Sequence, residues 1–332
     1  MPEVLHEIAE GETPRAREFN NVVSSDLDAI CSKAMARKSH LRHDSVQDLA
    51  EAVERWMAGQ REKQAGYDSL RMEGRELRAD LQSAVSDLER NARFMSRLPP
   101  IQQLISADTE QDISAWRDRL AMIFQGLLEA TPNYRSVAYC RVDRDRFTEL
   151  VRVERHSRDS SRVRVVPKSR LREVECSDFM KSVVLQKPEE VVTSLVCDPL
   201  CDGIDCHMAC LGLVAGVPVY DDSTEDSFGF VMVDCDVKRV LQQQMSGRYA
   251  SREIVVACDV LHIMMRFHAG RIDEDSIGKK VMDKAPQFEP ALATLRTELE
   301  FIDVTNSEIY GARLWLAPGE KGLVYLLRQS IN

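Results

Sequence analysis

The chain has 332 residues, 44% of them apolar and 30% charged, which is ordinary for a globular protein with room for about two domains. Its formal net charge of −10 excludes a general nucleic-acid binder, whose footprint would be basic. No apolar run approaches the ~20 residues that a membrane-crossing helix needs, so no membrane span is expected.

The opening, MPEVLHEIAEGETPR, lacks a basic start followed by an apolar stretch, so no signal peptide is expected. A cytoplasmic protein follows as the expectation, with its nine cysteines held as reduced thiols.

Residues 1–60 read as a helical segment. Leu27, Ile30, Ala34 and Met35 recur at helical spacing over residues 25–37. A second helix starts at Ser45, whose hydroxyl can accept from free first-turn amides, with Asp48 three residues on as in a capping box. Leu49, Val53, Trp56 and Met57 form its apolar face, and Gly59 offers a stop. So small a helical set buries little core alone, so these faces need the rest of the chain or a partner.

The stretch LDAICSKAMARKSHLRHDSVQDLAEAVERWMAG resembles the last helices of a bacterial Ser/Thr protein kinase C-terminal lobe. Leu27, Ile30, Lys33, Ala34, Met35, Arg42, Ser45, Leu49 and Trp56 match that pattern position by position. The resemblance implies that Arg42 stands where kinases pair an arginine with a glutamate of the activation segment, a glutamate absent here. The Gly-rich loop, V-A-I-K, H-R-D, D-F-G and A-P-E are absent too. Without a lysine for the phosphates or carboxylates for Mg²⁺, this chain is expected not to be an enzyme, although its parent protein could be a kinase.

Residues 61–98 predict one long helix of good helix formers. Leu70, Leu77, Ala84 and Asn91 occupy one heptad position, and Gly74, Leu81, Leu88 and Met95 another. The seam predicts either a homodimer through residues 67–98 or a helix lying along the following domain. Pro99-Pro100 should end the helix, since neither can donate a backbone hydrogen bond.

After one more amphipathic helix, with Ile113, Trp116, Leu120, Ile123, Phe124 and Leu127 as its stripe, the period changes to two. RSVAYCRVD, TELVRVERH and SRVRVVPK alternate, and GLVAGVPVYDDSTEDSFGFVMVDCDV reads as two strands joined by an acidic turn. The fold class expected from this pattern is α+β: helices, then an antiparallel sheet.

WRDRLAMIFQGLLEATPNY, ELVRVER, AGVPVYDD and FGFVMVDCDV resemble the double Cache sensor regions of bacterial histidine kinases and chemoreceptors. The resemblance implies a long helix leading into two tandem PAS-like modules with antiparallel sheets, at 99–240 and 241–332; SREIVVACDVLHIMMRFHAGR would open the second module and EIYGARLWLAPGEKGLVYLLRQSI would close it. The resemblance implies a small-molecule ligand in the first module, with Arg152, Arg155, Tyr220, Asp234 and Asp236 as candidate ligand-binding residues. Val214 stands where the family often carries an arginine that holds a carboxylate, which weighs against an amino-acid ligand. Eight basic residues crowd between Arg152 and Arg172, either as an anion site or as a solvated hairpin.

VCDPLCDGIDCHMAC places Cys197, Cys201, Cys206 and Cys210 at spacings compatible with two short knuckles on one zinc ion, with His207 as an alternate ligand. Reversible disulfides and unconnected thiols are the other readings. The surrounding aspartates should raise the thiol pKa values and slow oxidation. No nucleophile, base and acid set stands out around His156, His207, His262 or His268. The function expected is therefore a non-catalytic sensory or regulatory region, with the tail of an active kinase and a dimeric scaffold as rivals.

Overall fold

The computed structural model describes residues 15–143, 146–156, 162–175, 177–197, 211–221, 227–245, 249, 252–258, 263–268, 271–277, 279–289, 292, 304–305, 309–315 and 322–329. The chain falls into two compact units, Met1–Ser69 and Leu70–Asn332.

In the first unit, α1 (Ala16–Phe19) precedes α2 (Ser25–Ala34), and α3 (Val46–Ser96) begins. Ser24 caps α2 by accepting from Leu27 N at 3.3 Å, and its hydroxyl also accepts from Trp56 Nε1 at 3.0 Å. Ser45 caps α3, accepting from Asp48 N at 3.1 Å. Arg42 donates from Nε to the carbonyl of Ala36 at 2.6 Å. Phe19, Val22 and Val46 are exposed, so the apolar faces of this unit are only partly covered.

Gly59 does not stop the second helix, which runs unbroken for 51 residues to Ser96. Its Cβ position is open. The cost of about 1 kcal/mol against alanine is absorbed by the helix formers on both sides. Pro99-Pro100 ends α3 as expected, but the same prolines open α4 (Pro99–Ile105). A first-turn proline loses no hydrogen bond, because that amide has no intrahelical acceptor.

The second unit is α+β, with two antiparallel sheets. α5 (Glu110–Ala130) is capped by Thr109, which accepts from Asp112 N at 3.1 Å. The first sheet uses β1 (Tyr134–Asp143), β2 (Arg146–Arg155), β3 (Val163–Val165), β4 (Glu173–Glu175), β5 (Val192–Cys197), β6 (Leu211–Tyr220) and β7 (Ser227–Asp236), in the order β3-β2-β1-β7-β6-β5 with β4 also on β2. A short helix, α6 (Asp178–Val184), lies between β4 and β5, and α7 (Val237–Met245) leaves β7.

The second sheet uses β8 (Arg252–Cys258), β9 (Ile263–His268) and β10 (Arg271–Ile272) on one side of β13 (Gly322–Gln329). On the other side lie β12 (Ile309–Trp315) and β11 (Val304–Thr305). The helix α8 (Val281–Lys284) sits between β10 and β11 in the chain.

The heptad seam has a destination inside the chain. Leu70, Gly74, Leu77, Leu81, Leu88, Ala92 and Met95 are buried, in one core with Leu120, Phe124, Val137, Val233, Ile254 and Tyr310. Burying each leucine this way contributes about 1.5–3 kcal/mol. The seam offered to a second copy is thus covered by this chain's own sheets. A helix lying along its domain and a helix in a dimer present the same apolar stripe, so periodicity alone could not separate them.

Candidate ligand site on the first sheet

Alternation gives the first sheet two different faces. Val137, Tyr139, Val151, Val153, Ala215 and Val233 belong to the core shared with α3 and α5. Ala138, Cys140, Phe147, Val214, Phe230 and Met232 pack instead with Phe179, Met180 and Val183 of α6. Phe147 and Phe230 meet edge to face with ring centroids 5.1 Å apart. α6 can lie this close because β6 has a glycine beneath it: a Cβ on Gly216 would stand 2.5 Å from Val183 Cγ2.

Toward β2 this face turns from apolar to charged. Cross-strand partners share a face, so the register pairs Cys140↔Glu149, Ala138↔Arg152 and Ser136↔Glu154 bring Glu149, Arg152 and Glu154 together, and Ser136↔Asp234 adds Asp234. The Glu149 side chain is only 2% exposed and that of Arg152 11%. Glu149 accepts from Arg152 Nη1 at 3.3 Å and from Arg172 N at 3.1 Å. Arg152 Nη2 stands 3.0 Å from Glu154, which also accepts from Arg164 Nε at 2.9 Å. Arg152 Nε is buried with no hydrogen-bond partner.

Beside this set, Arg135 forks onto Asp234 at 2.9 and 3.0 Å. Gly212 leaves the room for it, since a Cβ there would stand 2.1 Å from Arg135 Nη2. Burial raises the thiol pKa of Cys140 far above its ordinary value and pushes that of Cys235 up to about 12. Both stay protonated and unreactive.

Of the five residues expected to bind a ligand, Arg152 and Asp234 belong to this charged set, and the other three are engaged with backbone groups elsewhere. Arg155 instead donates from Nε to the Tyr134 carbonyl at 2.9 Å and from Nη2 to the Thr131 carbonyl at 3.1 Å and the Leu128 carbonyl, closing the C-terminal end of α5. Orphan carbonyls at a helix end take up such a cation. Tyr220 donates its hydroxyl to the Gln186 carbonyl at 2.5 Å, and its own carbonyl accepts from Gln102 at 2.8 Å. Asp236 accepts from Arg239 N at 3.2 Å at the start of α7.

The basic residues are likewise dispersed. Arg152 and Arg164 share Glu154, Arg155 goes to backbone carbonyls at the end of α5, and Lys168 stands 3.5 Å from Glu110.

Glu149 and Arg135 escaped the sequence reading. A bulge explains Glu149: β1 advances from Tyr139 to Cys140 while β2 drops from Val151 to Glu149, skipping Leu150. Strict alternation would have put Glu149 beside Val151 on the helix-covered face.

Of the cysteine stretch, Cys201, Cys206 and Cys210 lie outside the described residues, as does the side chain of Cys197. The backbone of Cys197 ends β5 opposite Leu211, so residues 198–210 connect two paired strands. Among the described residues no group of three or more His, Cys, Asp or Glu could hold a metal ion.

No family model and no curated protein matches the sequence. Solved structures do match in shape. A domain from Vibrio parahaemolyticus, described as belonging to a sensory box/GGDEF family protein, aligns with a TM-score of 0.58 at 10% identity, over 80% of this chain and 97% of its own. The extracellular domain of a protein described as a histidine kinase, vpHK1S-Z8, gives 0.58 at 10% identity over 80% and 92%. A structure titled methyl-accepting chemotaxis protein X gives 0.51 at 13% identity over 81% and 98%. With its long helix followed by two antiparallel sheets, the chain has the α+β fold of Cache/PAS-like sensor domains.

Proposed function

We propose that this chain is the sensory region of a signalling protein and that a small polar molecule binds on the α6 side of the first sheet, against Arg152. The carrying observation is the charged set Glu149, Arg152 and Glu154 inside an otherwise apolar layer, with Arg152 Nε buried and unpaired. Burying such charges costs several kcal/mol per ion, and an unsatisfied buried donor adds about 1–3 kcal/mol. A ligand acceptor at Nε would remove that second penalty. The solved domains of the same fold are sensory parts of signalling proteins, which supports the same reading.

The test is a thermal-shift screen of small carboxylates, amines and metal ions. A binder at 100 times its Kd adds about 2.7 kcal/mol of stability. Arg152→Lys, which keeps a charge opposite Glu149 but loses the guanidinium fork, should weaken that binder roughly tenfold or more. Absence of any stabilising compound, or equal affinity in Arg152→Lys, overturns the reading.

The parent of this region is, in the same proposal, a Ser/Thr protein kinase acting in the cytoplasm. Support comes from the kinase-like pattern from Leu27 to Trp56 and the capped pair α2 and α3 that carries it. None of the described helices is long and apolar enough to cross a membrane, and α3 runs unbroken from Val46 to Ser96. The reading frame just upstream is the check. Coding for H-R-D and D-F-G supports the proposal, and coding for a secretion signal or membrane span removes it.

A further inference from the structure

The loop between α6 and β5 holds a backbone conformation that its sequence does not favour. Among the described residues, Glu189 alone of the non-glycine residues has a positive φ, at 71°. The turn around it is closed by Glu190 N, which donates to the Lys187 carbonyl at 3.1 Å, and by Lys187 N, which donates to Glu190 Oε2 at 3.2 Å. Pro188 takes the second place of this turn, where a proline fits. Glu189 takes the third, where a positive φ calls for glycine or asparagine. A larger side chain is disfavoured there, because its Cβ crowds the following carbonyl oxygen. Strain of this kind persists only where the surroundings hold it.

What holds it comes from α3. Arg93 donates from Nε to the Glu189 carbonyl at 3.1 Å, and Arg97, just past the end of α3, pairs with the Glu189 carboxylate. Glu89, four residues before Arg93, accepts from Thr193 of β5 at 3.0 Å. Four-residue spacing sets Glu89, Arg93 and Arg97 along one side of the helix end. Arg97 and Glu189 are both more than half exposed, so their pair is weak and readily released.

The other end of the loop is α6. A helix of seven residues does not persist alone in water. α6 keeps its place by burying Phe179, Met180 and Val183 on the first sheet. Past Val183 the burial runs out: Leu185 is 83% exposed. From there polar bonds take over, with Leu185 N donating to the Lys181 carbonyl at 3.3 Å and the Gln186 carbonyl accepting from the Tyr220 hydroxyl.

We propose that residues 185–191 form a strained strap between α3 and α6, in which Glu189 keeps α6 closed on the first sheet only while Arg93 and Arg97 hold it. Glycine at this position would let the turn keep its shape unaided. Glutamate makes that shape depend on α3. A shift in the seating of α3 therefore frees α6, and lifting α6 pulls on α3. The strap does not rest on a ligand beside Arg152, because it acts with no ligand present. α6 does lie on the face that carries Arg152, so a molecule entering there would act on the strap.

The experiment is hydrogen exchange on the full chain without ligand, read by mass spectrometry over peptides spanning residues 178–192. The double variant Arg93→Gln/Arg97→Gln should exchange its α6 amides roughly fivefold faster, while β8 and β13 keep the wild-type pattern. Adding Glu189→Gly to the double variant should bring α6 back to within about twofold of wild type, because the turn no longer needs holding. Glu189→Val, whose β-branched side chain fits a positive φ poorly, should release α6 as the double variant does. Unchanged α6 exchange in Arg93→Gln/Arg97→Gln overturns the proposal. So does an increase that Glu189→Gly fails to reverse, since the arginines would then act by contact alone and not through the turn. Faster exchange spreading to β8 and β13 would mean general destabilisation and overturns it as well. Binding at Arg152 is decided separately by the thermal-shift screen.

Discussion

Glu253→Ala lowers the stability of the Leu70–Asn332 unit by about 3–5 kcal/mol, the range for removing one partner of a buried ion pair. Glu253 sits in β8 among Ile254, Val255 and Val256, with its side chain 2% exposed. It accepts from Arg266 Nε at 3.1 Å and Nη2 at 2.8 Å and from Gln287 at 2.8 Å, and Arg328 Nε stands 3.3 Å from its other oxygen. Both guanidinium side chains are only 16% exposed. Arg266 keeps Asp273 at 3.2 Å and the Lys284 carbonyl at 2.9 Å in the variant, but Arg328 loses the carboxylate. The cost is that of desolvated cations held by fewer partners. Urea unfolding monitored by circular dichroism reads it as a lower midpoint, and a loss below about 1 kcal/mol would mean that water or other carboxylates replace Glu253.

Gly74→Leu destabilises the same unit by about 2 kcal/mol, although helix propensity taken alone predicts a gain of roughly 1 kcal/mol for replacing a helical glycine. A Cβ on Gly74 would lie 2.1 Å from Tyr310 Cε1 and 2.2 Å from Cδ1. Tyr310 is fully buried in β12, so its ring has no free space to retreat into. Overpacking of this kind costs about 1–3 kcal/mol or more. The bidentate Glu73–Arg252 pair, with both bonds at 2.6 Å, holds α3 to the second sheet at the same level and opposes a compensating shift. Gly59→Ala is the matched control. Nothing lies within 4 Å of its Cβ position, so it should stabilise its helix by about 0.5–1 kcal/mol. Equal signs for the two substitutions in thermal unfolding would show that α3 does not dock through Gly74.

These two results would define α3 as the element that reads both sheets. Near its middle it meets the second sheet through Glu73 and Gly74, and further on it meets the first sheet through Glu89, which accepts from Thr193 at 3.0 Å, and Asn91. A ligand that altered the first sheet would change the seating of one continuous helix. Population shift along that helix is the physical route from binding to output.

Periodicity and capping chemistry were enough to place most elements and their class. Ser45 and Asp48 marked the start of α3, the Ile113 to Leu127 stripe marked α5, two-residue alternation marked β1, β2 and β3, and the pattern on either side of an acidic turn marked β6 and β7, whereas the strands around Ile254 and Val324 came only from the resemblance. Those signals are local, carried by neighbours a few residues apart. What the tertiary structure decided is everything that depends on which surface an element meets. The stripe on α3 met the chain's own sheets, Gly74 proved to be a contact with Tyr310, and Arg155 went to a helix end. One skipped residue, Leu150, moved Glu149 to the same face as Arg152. Side-chain period specifies two faces of a strand or one stripe of a helix, but not the partner, and a single bulge exchanges the faces.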